Sequence, residues 1–573
     1  MRVRQGRLAV ALAASALGVL TTLAVPVVVG RAIDQALPTP TDPIPTTGMA
    51  PFVVALVLLG IARAACGFVA RDGLARVAFG LEFDLRALIY EHLSRLSFSF
   101  YDRVQTGQLV SRANSDVRSV QMYLAYAPAL VVSTASFAVA VVLMVRIHLG
   151  LTVAAVAALP GVYALGVRLR KELFPLSWVV QAHLAEIATV VDENVTGTRV
   201  VKSFAGEGRQ IALLERAARR LQWATVRQFD TRARLGPAME NLPRIGLALV
   251  LLYGGVLAID GQVSIGDLVV FSSYVVLLQA PFRSLGFLFM LSQRASASAQ
   301  RIYEVLDTEP EIVDAPDAIE LVEPRGDVEL RQVHFTYPGR DTPVLAGLDL
   351  RLLAGETVAL VGRTGAGKSS VARLLTRFYD LDAGAVLIDG HDVRTVTLAS
   401  LRRAVGVVVD EPFLFSDTLL ANIAYGRPDA SLDDVRRAAA AAGVDDFISA
   451  LPRGYDTVVG ERGYTLSGGQ RQRIAIARTL LVDPAVLVLD DATSAVDAER
   501  EELIHDALRT LMAGRTTLII AHRLSTIALA DRVVLLDGGR AVADGPHAEL
   551  LAREPRYADV LSSLPDERVA VRR

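Results

Sequence analysis

Long apolar runs without charged residues occur in the first half of the chain. The first run, Leu8–Gly30, is long enough, at 1.5 Å per helical residue, to cross a hydrocarbon core about 30 Å thick. Five more apolar segments follow it, at Ala50–Ala70, Met122–Val145, Ile147–Val167, Ile245–Ile259 and Leu268–Gln293. The hydrophobic pattern therefore predicts six membrane-spanning helices.

The chain starts with MRVRQGR, a basic segment that resembles the start of a signal peptide. The apolar run that follows is too long for the hydrophobic region of a signal peptide, and further spans come after it. We therefore expect the first helix to be retained in the membrane.

The connections between the predicted spans differ in positive charge. Arg71–Gln121 holds seven arginines and Arg168–Arg244 is similarly basic, whereas the other connections are short and nearly free of Arg and Lys. By the positive-inside rule, the two long connections and both termini face the cytoplasm. Helical patterning in the long connections, as in LEFDLRALIYEHLSRL, predicts spanning helices that continue well beyond the membrane.

Two arginines, Arg63 and Arg283, lie inside predicted spans. Arginines within a membrane are candidates for a functional role, here contact with a substrate. The alternative is that each side chain extends along its helix to the cytoplasmic interface. The sequence leaves both alternatives open.

After about Asp307 the pattern is that of an ordinary soluble domain. With 573 residues the chain is too long for one hydrophobic core, and its 52% hydrophobic content and mean hydropathy of +0.39 come mainly from the first half. A net charge of −2 gives no indication of nucleic-acid binding. The single cysteine, Cys66, excludes an internal disulfide and a cysteine-based metal site.

The soluble half contains a phosphate-binding motif. In VALVGRTGAGKSS an apolar strand leads into Gly362–Ser369, which fits G-x-x-x-x-G-K-[ST]. Glycines allow the backbone N–H groups to surround phosphates, Lys368 reaches the terminal phosphate oxygens, and the Ser369 hydroxyl binds Mg²⁺. Lys368 is one of only three lysines in the chain. This motif predicts an α/β nucleotide-binding domain of the P-loop NTPase class.

Two further motifs lie downstream. The apolar segment Val486–Leu489 has the composition of a buried parallel strand, and Asp490 at its end is the expected carboxylate partner of Mg²⁺. About 20 residues before it, LSGGQRQR opens a helix with Ser467, Gly468 and Gly469, which form a second anion-binding helix start. A second phosphate cradle beside a complete phosphate loop indicates a nucleotide held by another chain.

The order of these motifs resembles that of ATP-binding cassette (ABC) transporters, and LSGGQ matches their signature. With six preceding spans, the chain is similar to a half-transporter of the type IV (exporter-fold) class from about Leu8 to Leu561. FYDRVQTGQLVSRANSDV and ENVTGTRVVKSFAGE also resemble intracellular stretches of such exporters. The resemblance implies two coupling helices, near Tyr101–Ser115 and Ile211–Arg219, that press on the ATPase domains.

The resemblance also assigns single residues. Tyr337 matches the aromatic side chain that stacks on adenine, and His522 matches the histidine that contacts the γ-phosphate. Ser494 and Asp497 match a loop that communicates across the dimer, and Val458–Gly463 matches a segment that touches coupling helices. The nucleotide-binding set it implies comprises Tyr337, Gly362, Arg363, Thr364, Gly365, Ala366, Gly367, Lys368, Ser369, Ser370, Ser467, Gly468, Gly469 and Gln470.

Two positions depart from the family pattern. Asp491 stands where a glutamate normally polarises the attacking water, and Asp410 stands where a glutamine normally contacts Mg²⁺ and senses the γ-phosphate. Aspartate at 491 withdraws the carboxylate by roughly 1.5 Å, and aspartate at 410 loses the amide donors while keeping oxygen ligands for Mg²⁺. The predicted metal ligands are therefore Ser369, Asp490 and Asp410, and the catalytic positions are Asp410, Asp491 and His522. We expect this site to bind ATP–Mg²⁺ but to hydrolyse it weakly.

An intact signature beside a weak catalytic site suggests a heterodimer, in which this chain completes a working site on a second half-transporter. A slowly hydrolysing homodimer is the alternative. The expected function is ATP-driven export of hydrophobic or amphipathic compounds, such as drugs or lipids, across a bacterial plasma membrane. Import of siderophores or other small molecules and a mainly regulatory ATP-binding role are the remaining alternatives.

The expected domain boundaries follow from the same features. Residues 1–307 form the transmembrane domain with its coupling helices, 308–325 a linker, 326–562 the nucleotide-binding domain and 563–573 a tail. The expected partners are a second half-transporter, membrane lipids and a hydrophobic or amphipathic substrate, with no nucleic acid.

Overall fold

The computed structural model describes residues 2–36, 48–157, 159–278, 280–460, 463, 465–491, 498–521 and 523–563. By internal contacts the chain divides into two compact units. The first, a helical unit, comprises Met1–Leu93 and Gly107–Asp307, and the second, a nucleotide-binding unit, comprises Ser94–Thr106 and Thr308–Arg573.

Helices make up nearly all of the described part of the helical unit. Their bounds are α1 Arg2–Ala36, α2 Ala50–Arg95, α3 Phe98–Arg103 (which belongs to the second unit), α4 Thr106–Ser111, α5 Val117–Ile147, α6 Leu149–Val156, α7 Leu159–Thr196, α8 Thr198–Ser203, α9 Glu207–Ile259, α10 Ile265–Leu277 and α11 Ala280–Leu306. A π-helical turn, Arg112–Asp116, joins α4 to α5.

Four helical segments in the described residues are long and apolar enough to cross a membrane. They are Gln5–Ala36, Ala50–Arg95, Thr106–Ile147 and Leu149–Thr196; the first three contain the first three predicted spans, and the fourth starts two residues after the predicted start at Ile147. The apolar helices at the fifth and sixth predictions, Arg244–Ile259 and Ile265–Leu277, are shorter. The fold is thus a multi-pass membrane domain, while the count of six spans stays a prediction.

The predicted continuation of the spanning helices is confirmed. Helix α2 runs without a break for 46 residues and α9 for 53 residues. The segment predicted as the second coupling helix, Ile211–Arg219, lies inside α9, and its coupling role stays a prediction. The short helix α8 lies between α7 and α9. Gly197 separates it from α7, and Gly206 directly precedes α9.

Helix pairs build the helical unit. Helix α7 packs along α9, α5 along α11 and α1 along α10. At the last of these contacts a Cβ atom on Gly266 would lie 2.2 Å from the carbonyl oxygen of Gly30, so only glycine fits. Asp34 fixes the same crossing, because its carboxylate accepts hydrogen bonds of 2.7 Å from the Ser264 hydroxyl and the Gly266 amide.

Two sheets form the frame of the nucleotide-binding unit. A six-stranded sheet has the order β10-β9-β3-β8-β7-β6 and is parallel except for β10, and a four-stranded antiparallel sheet has the order β2-β1-β4-β5. The strands are β1 Val328–Phe335, β2 Leu345–Leu352, β3 Thr357–Val361, β4 Ala383–Ile388, β5 His391–Asp392, β6 Val405–Val409, β7 Val486–Asp490, β8 Thr516–Ile520, β9 Arg532–Asp537 and β10 Arg540–Gly545.

Helices cover the parallel sheet. Their bounds are α12 Lys368–Leu375, α13 Leu398–Ala404, α14 Leu419–Ile423, α15 Leu432–Ala441, α16 Asp445–Ser449, α17 Gly468–Val482, α18 Ala498–Met512, α19 Leu524–Ile527, α20 His547–Arg553 and α21 Pro555–Ser563. Every residue of β3 and β8 is buried, as continuous apolar runs in a covered parallel sheet require. The carboxyl ends of β6, β7 and β8 lie side by side, because Val409 pairs with Asp490 and Asp490 with Ile520.

The segment before the first strand is attached to the nucleotide-binding unit. Ile319 forms a parallel bridge with Val396, and the carboxylate of Asp314 accepts a 2.7 Å hydrogen bond from the Leu398 amide at the start of α13. This chain segment therefore has fixed contacts on the surface of the nucleotide-binding unit.

Candidate functional site

The phosphate loop connects β3 to α12. A Cβ atom on Gly362 would lie 2.3 Å from the Leu536 carbonyl oxygen, and Gly367 adopts a left-handed φ of 102° directly before α12. Both positions therefore require glycine. Gly365 is also left-handed, at φ 85°, and has open space where a side chain would be. The loop thus presents backbone rather than side chains to a ligand.

Lys368 is buried at the start of α12 with 5% of its surface exposed. Its ammonium donates hydrogen bonds to the carbonyl oxygens of Gly362, at 2.7 Å, and Arg363, at 3.2 Å. Burial lowers the pKa of Lys368, while the nearby carboxylates of Asp490 and Asp491 act in the opposite direction. A buried cation beside a loop of backbone amides fits an anionic ligand such as a phosphate chain.

Ser369 and Asp490 come together across the site. The Ser369 hydroxyl donates a 3.3 Å hydrogen bond to the Asp490 carboxylate at the end of β7. A hydroxyl and a carboxylate oxygen suit Mg²⁺, which would neutralise charge on bound phosphates. Among the described residues no group of three or more His, Cys, Asp or Glu side chains is arranged to hold a metal. The donor set therefore fits Mg²⁺ that takes its remaining ligands from phosphate and water.

Four acidic residues gather at the carboxyl ends of β6 and β7. Desolvation raises the pKa of Asp410, and the charges of Asp491, Glu411 and Asp490 raise it further, against the opposing effect of Arg523. The charge of Asp491 thus acts on Asp410, so the two residues that depart from the family pattern belong to one acidic site.

Asp491 has an unusual backbone conformation. Its φ is +51°, in the left-handed region, and its amide donates a 3.3 Å hydrogen bond to the Ile520 carbonyl on β8. Aspartate tolerates this region better than residues with longer side chains do. The chain therefore turns sharply where β7 ends and directs residue 491 away from the strand.

Tyr337 lies half-buried beside the phosphate-loop helix. Its hydroxyl is 2.9 Å from the Ser370 hydroxyl, and its ring makes edge contacts with Phe335, at 4.7 Å between centroids, and Tyr379, at 5.2 Å. The structure thus brings the aromatic residue predicted to stack on adenine next to the residues predicted to hold phosphates.

The contribution of Tyr337 to ATP affinity is testable with two variants. We expect Tyr337→Ala to weaken ATP binding about 10-fold or more, because base–aromatic stacking contributes about 1–3 kcal/mol in nucleic-acid complexes. Tyr337→Phe keeps the ring and loses only the hydroxyl with its hydrogen bonds to Ser370 and Arg373, neither of which replaces the stacking surface, so we expect a change of about threefold at most. Titration of a fluorescent ATP analogue into the purified full chain measures both; equal losses in the two variants would contradict stacking.

The signature motif forms the start of α17. Ser467 caps this helix: its hydroxyl accepts from the Gln470 amide at 3.3 Å, and its own amide donates to the Gln470 side-chain oxygen at 2.8 Å. The first turn contains no acidic residue, Ser467 is exposed, and the turn begins with Gly468 and Gly469. This helix start can accept an anion.

Within the described part of the chain, no hydrogen bond or ion pair joins 467–470 to 362–370. The two predicted phosphate-binding elements are thus separate in the structure of this chain. Gln472, which sequence reasoning missed, is buried and donates a 3.2 Å hydrogen bond to the Val409 carbonyl. It ties the signature helix to the strand that precedes Asp410, and its place directly after LSGGQR was the available signal.

Several predicted residues lie outside the described residues. They are His522, Ser494 and Asp497, the Glu461 and Arg462 part of Val458–Gly463, and the side chain of Arg283. Arg63 is described and exposed on α2.

The phosphate loop between a buried parallel strand and a helix, with Ser369 facing a strand-end carboxylate, defines a P-loop nucleotide-binding domain. Comparisons with known proteins identify both parts of the chain. Residues 8–282 match the ABC transporter transmembrane region, and residues 345–494 match the ABC transporter nucleotide-binding family. A solved structure described as a bacterial Atm1-family ABC exporter with ATP bound is similar over 99% of both chains, with a TM-score of 0.78 and 34% identity.

Curated relatives agree with this assignment. The ATP-dependent lipid A-core flippase of Escherichia coli is 36% identical over 509 residues, which cover 88% of this chain and 87% of the flippase. A multidrug efflux ATP-binding/permease protein of Mycobacterium bovis is 40% identical over 96% of this chain, which spans only 45% of that relative. The chain belongs to the ABC transporter family and has the exporter fold of its membrane region.

Proposed function

We propose that this chain is one half of an ATP-driven exporter of hydrophobic or amphipathic compounds. The observation that carries the proposal is the combination, in one chain, of apolar helices long enough to span a membrane with a phosphate loop whose buried lysine faces an anion site. The names of the relatives, multidrug efflux proteins and lipid A-core flippases, support drugs or lipids as the substrate class.

In this proposal the phosphate-loop side of the chain binds ATP with Mg²⁺. Residues 362–370 surround the phosphates, Tyr337 stacks on the base, and Ser369 with Asp490 holds Mg²⁺. The 3.3 Å contact between the Ser369 hydroxyl and the Asp490 carboxylate supports this assignment. Two oxygens at this separation can both bind one Mg²⁺ ion, which would replace their direct hydrogen bond while α12 and β7 keep their positions.

We further propose that hydrolysis at this site is weak. The Asp491 carboxylate is one methylene short of the glutamate position, and misplacement of a catalytic group by about 1 Å can cost on the order of 100-fold in rate. Asp410 adds an acidic side chain where an amide is expected, and burial together with neighbouring carboxylates raises its pKa. Both changes act on the catalytic step and leave the ATP-binding residues intact.

The intact signature motif serves the partner's site in this proposal. Within the described residues no hydrogen bond or ion pair joins Ser467 and the start of α17 to this chain's own phosphate loop, which is compatible with a role in the partner's site. The proposed assembly is therefore a heterodimer whose partner supplies a catalytic glutamate. It lies in a bacterial plasma membrane with the termini and the nucleotide-binding domain in the cytoplasm, and with domain boundaries at 307, 325 and 562.

Transport assays in inside-out proteoliposomes test the proposed function. We expect vesicles that contain the assembled transporter to move a lipophilic cationic dye, or a phospholipid with a fluorescent head group, away from the cytoplasmic face when ATP and Mg²⁺ are present. EDTA in place of Mg²⁺ is the control. ATP-dependent movement in the opposite direction would contradict export, and ATP binding without movement of either probe would favour a regulatory subunit.

A further inference from the structure

An arginine in the phosphate-loop helix contacts both the predicted adenine-binding residue and the short helix α3. Arg373 lies in the second turn of α12, the helix that begins with Lys368. Its guanidinium carbon is 5.7 Å from the centroid of the Tyr337 ring and 5.8 Å from that of Phe98 in α3. Its Nη1 also donates a 3.3 Å hydrogen bond to the Tyr337 hydroxyl. One cation is therefore shared between two aromatic rings with different roles.

The other contacts of α3 lie on the same surface. The Phe98 ring stacks on Phe378 with centroids 5.2 Å apart and an interplanar angle of 8°. The Tyr379 hydroxyl donates a hydrogen bond to Asp102 of α3, and the Tyr379 ring contacts the Tyr337 ring. These residues form an aromatic cluster between the base position and α3, within one compact unit.

The linker side makes polar contacts with α3 and with the residue before it. Glu311 accepts hydrogen bonds from the Ser99 hydroxyl, at 2.5 Å, and from Arg103, at 2.8 Å. The Ile312 amide donates a 2.9 Å hydrogen bond to the Ser97 hydroxyl. None of these three contacts involves a residue assigned to nucleotide binding, whereas the aromatic cluster contacts both Tyr337 and α3.

We propose that Arg373 is a positioning residue that couples occupation of the base position on Tyr337 to the placement of α3. The inference rests on the proposed ATP binding and goes beyond it, because it requires no hydrolysis. A base that stacks on Tyr337 changes the surroundings of the ring whose hydroxyl and π-system Arg373 contacts. Because the same guanidinium contacts Phe98, the change alters the balance between the two cation–π contacts. Loss of one such contact changes a binding constant about 2- to 30-fold, depending on exposure.

Coupling of this kind is reciprocal, which makes a double-mutant cycle decisive. We propose to measure binding of ATP–Mg²⁺ to the assembled transporter that contains Phe98→Ala, Arg373→Met or both. Methionine keeps an apolar stem and removes the charge. We expect each single variant to change ATP affinity about 3- to 10-fold. If the two residues act through one another, the double variant changes affinity no more than the larger single change, whereas multiplicative effects would overturn the inference.

A spectroscopic readout separates coupling from a purely structural role. With Cys66→Ala and Gln105→Cys, a spin label reports from an exposed position two residues after α3. We expect saturating ATP to change the label's mobility, Arg373→Met to reduce that change at least twofold, and Arg373→Lys to retain part of it. Arg402→Met is the matched control, because Arg402 lies 5.5 Å from the Phe378 ring but makes no cation–π contact with Tyr337 in the described structure.

The outcomes distinguish the inference from the function on which it rests. A wild-type chain that fails to bind ATP contradicts the proposed function. A chain that binds ATP, with an undiminished spin-label response in Arg373→Met at saturating ATP, overturns the coupling role alone. An equal loss of the spin-label response in Arg402→Met also overturns the coupling role of Arg373, because removal of any cation near α3 would then have the same effect.

Discussion

Replacement of Asp410 by Gln together with Asp491 by Glu is expected to raise ATP hydrolysis at this chain's own site about 100-fold. The longer side chain at 491 returns the carboxylate by roughly 1.5 Å to the position from which a water is polarised. Gln at 410 restores amide donors and removes one carboxylate from a site that also holds Glu411, Asp490 and residue 491. The ATP-binding residues are unchanged, so ATP affinity should change far less than the rate.

Neither single variant should recover the full rate. Asp491→Glu leaves the acidic Asp410 beside the phosphates, and it places a longer side chain at a left-handed φ of +51° that aspartate tolerates better. Asp410→Gln leaves the short carboxylate in place. If Asp491→Glu alone matches the double variant, Asp410 has no part in the weak activity.

Single-turnover hydrolysis is the measurement, with the assembled transporter and a partner whose own phosphate-loop lysine has been replaced. Only this chain's site then contributes to the signal. Asp531→Asn is a matched control, because Asp531 is an aspartate of the same domain that accepts from the Thr357 amide, at the opposite end of β3 from the phosphate loop. Normal hydrolysis by the unmodified chain on its own would contradict the weak-site hypothesis and favour a homodimer.

The elements that the sequence predicts well are those defined by local patterns. The strand before Gly362, the helix that begins at Lys368 and the strand that ends at Asp490 all follow from contiguous residues, and the structure has each of them. The helical pattern of the long connections also predicts the extended helices α2 and α9, and α9 continues through Gly236, Pro237 and Pro243. The pairing of Ser369 with Asp490 was also predictable, because parallel strands bring their carboxyl ends to one edge.

Features set by contacts between distant segments were not predictable. The sequence analysis predicted no separate short helix at Thr198–Ser203, where the structure has α8, and the segment that it predicted as a coupling helix, Ile211–Arg219, lies inside α9. Nothing in the sequence joins Phe98 to Phe378 or Asp102 to Tyr379, since these pairs are hundreds of residues apart and meet only in the folded unit. Arg373 was missed for the same reason: a surface arginine in a helix carries no local signal of its aromatic partners.

The proposed site binds ATP but hydrolyses it slowly, and this bears on the role of the aromatic cluster. A site that hydrolyses ATP slowly stays occupied for long periods, so its effect on the membrane domain must come from occupancy itself. Tyr337 reports occupancy without reference to the γ-phosphate, and Arg373 contacts both Tyr337 and α3. In the proposed coupling, the contacts of Arg373 with Tyr337 and Phe98 would connect ATP binding to α3 without any need for hydrolysis.

Ser467→Arg is expected to reduce transport and the partner's ATP hydrolysis about 100-fold or more. Ser467 caps α17 next to the amides of Gly468 and Gly469, and an arginine there occupies the helix start where the partner's phosphates would bind. Loss of one preorganised donor to a developing charge typically costs about 100- to 1000-fold in rate. Because the effect arises in the partner's site, ATP binding to this chain should be unaffected.

Ser431→Arg provides a matched control for the loss of a helix cap. Ser431 caps α15 with the same reciprocal pair of hydrogen bonds, to Asp434, that Ser467 makes with Gln470. Each substitution should therefore lower the free energy of unfolding by a similar amount, about 1 kcal/mol. If only Ser467→Arg abolishes transport, the signature acts on a nucleotide held by the partner. Transport that continues normally in Ser467→Arg would instead assign this chain a regulatory role, because its signature would then contribute nothing to catalysis.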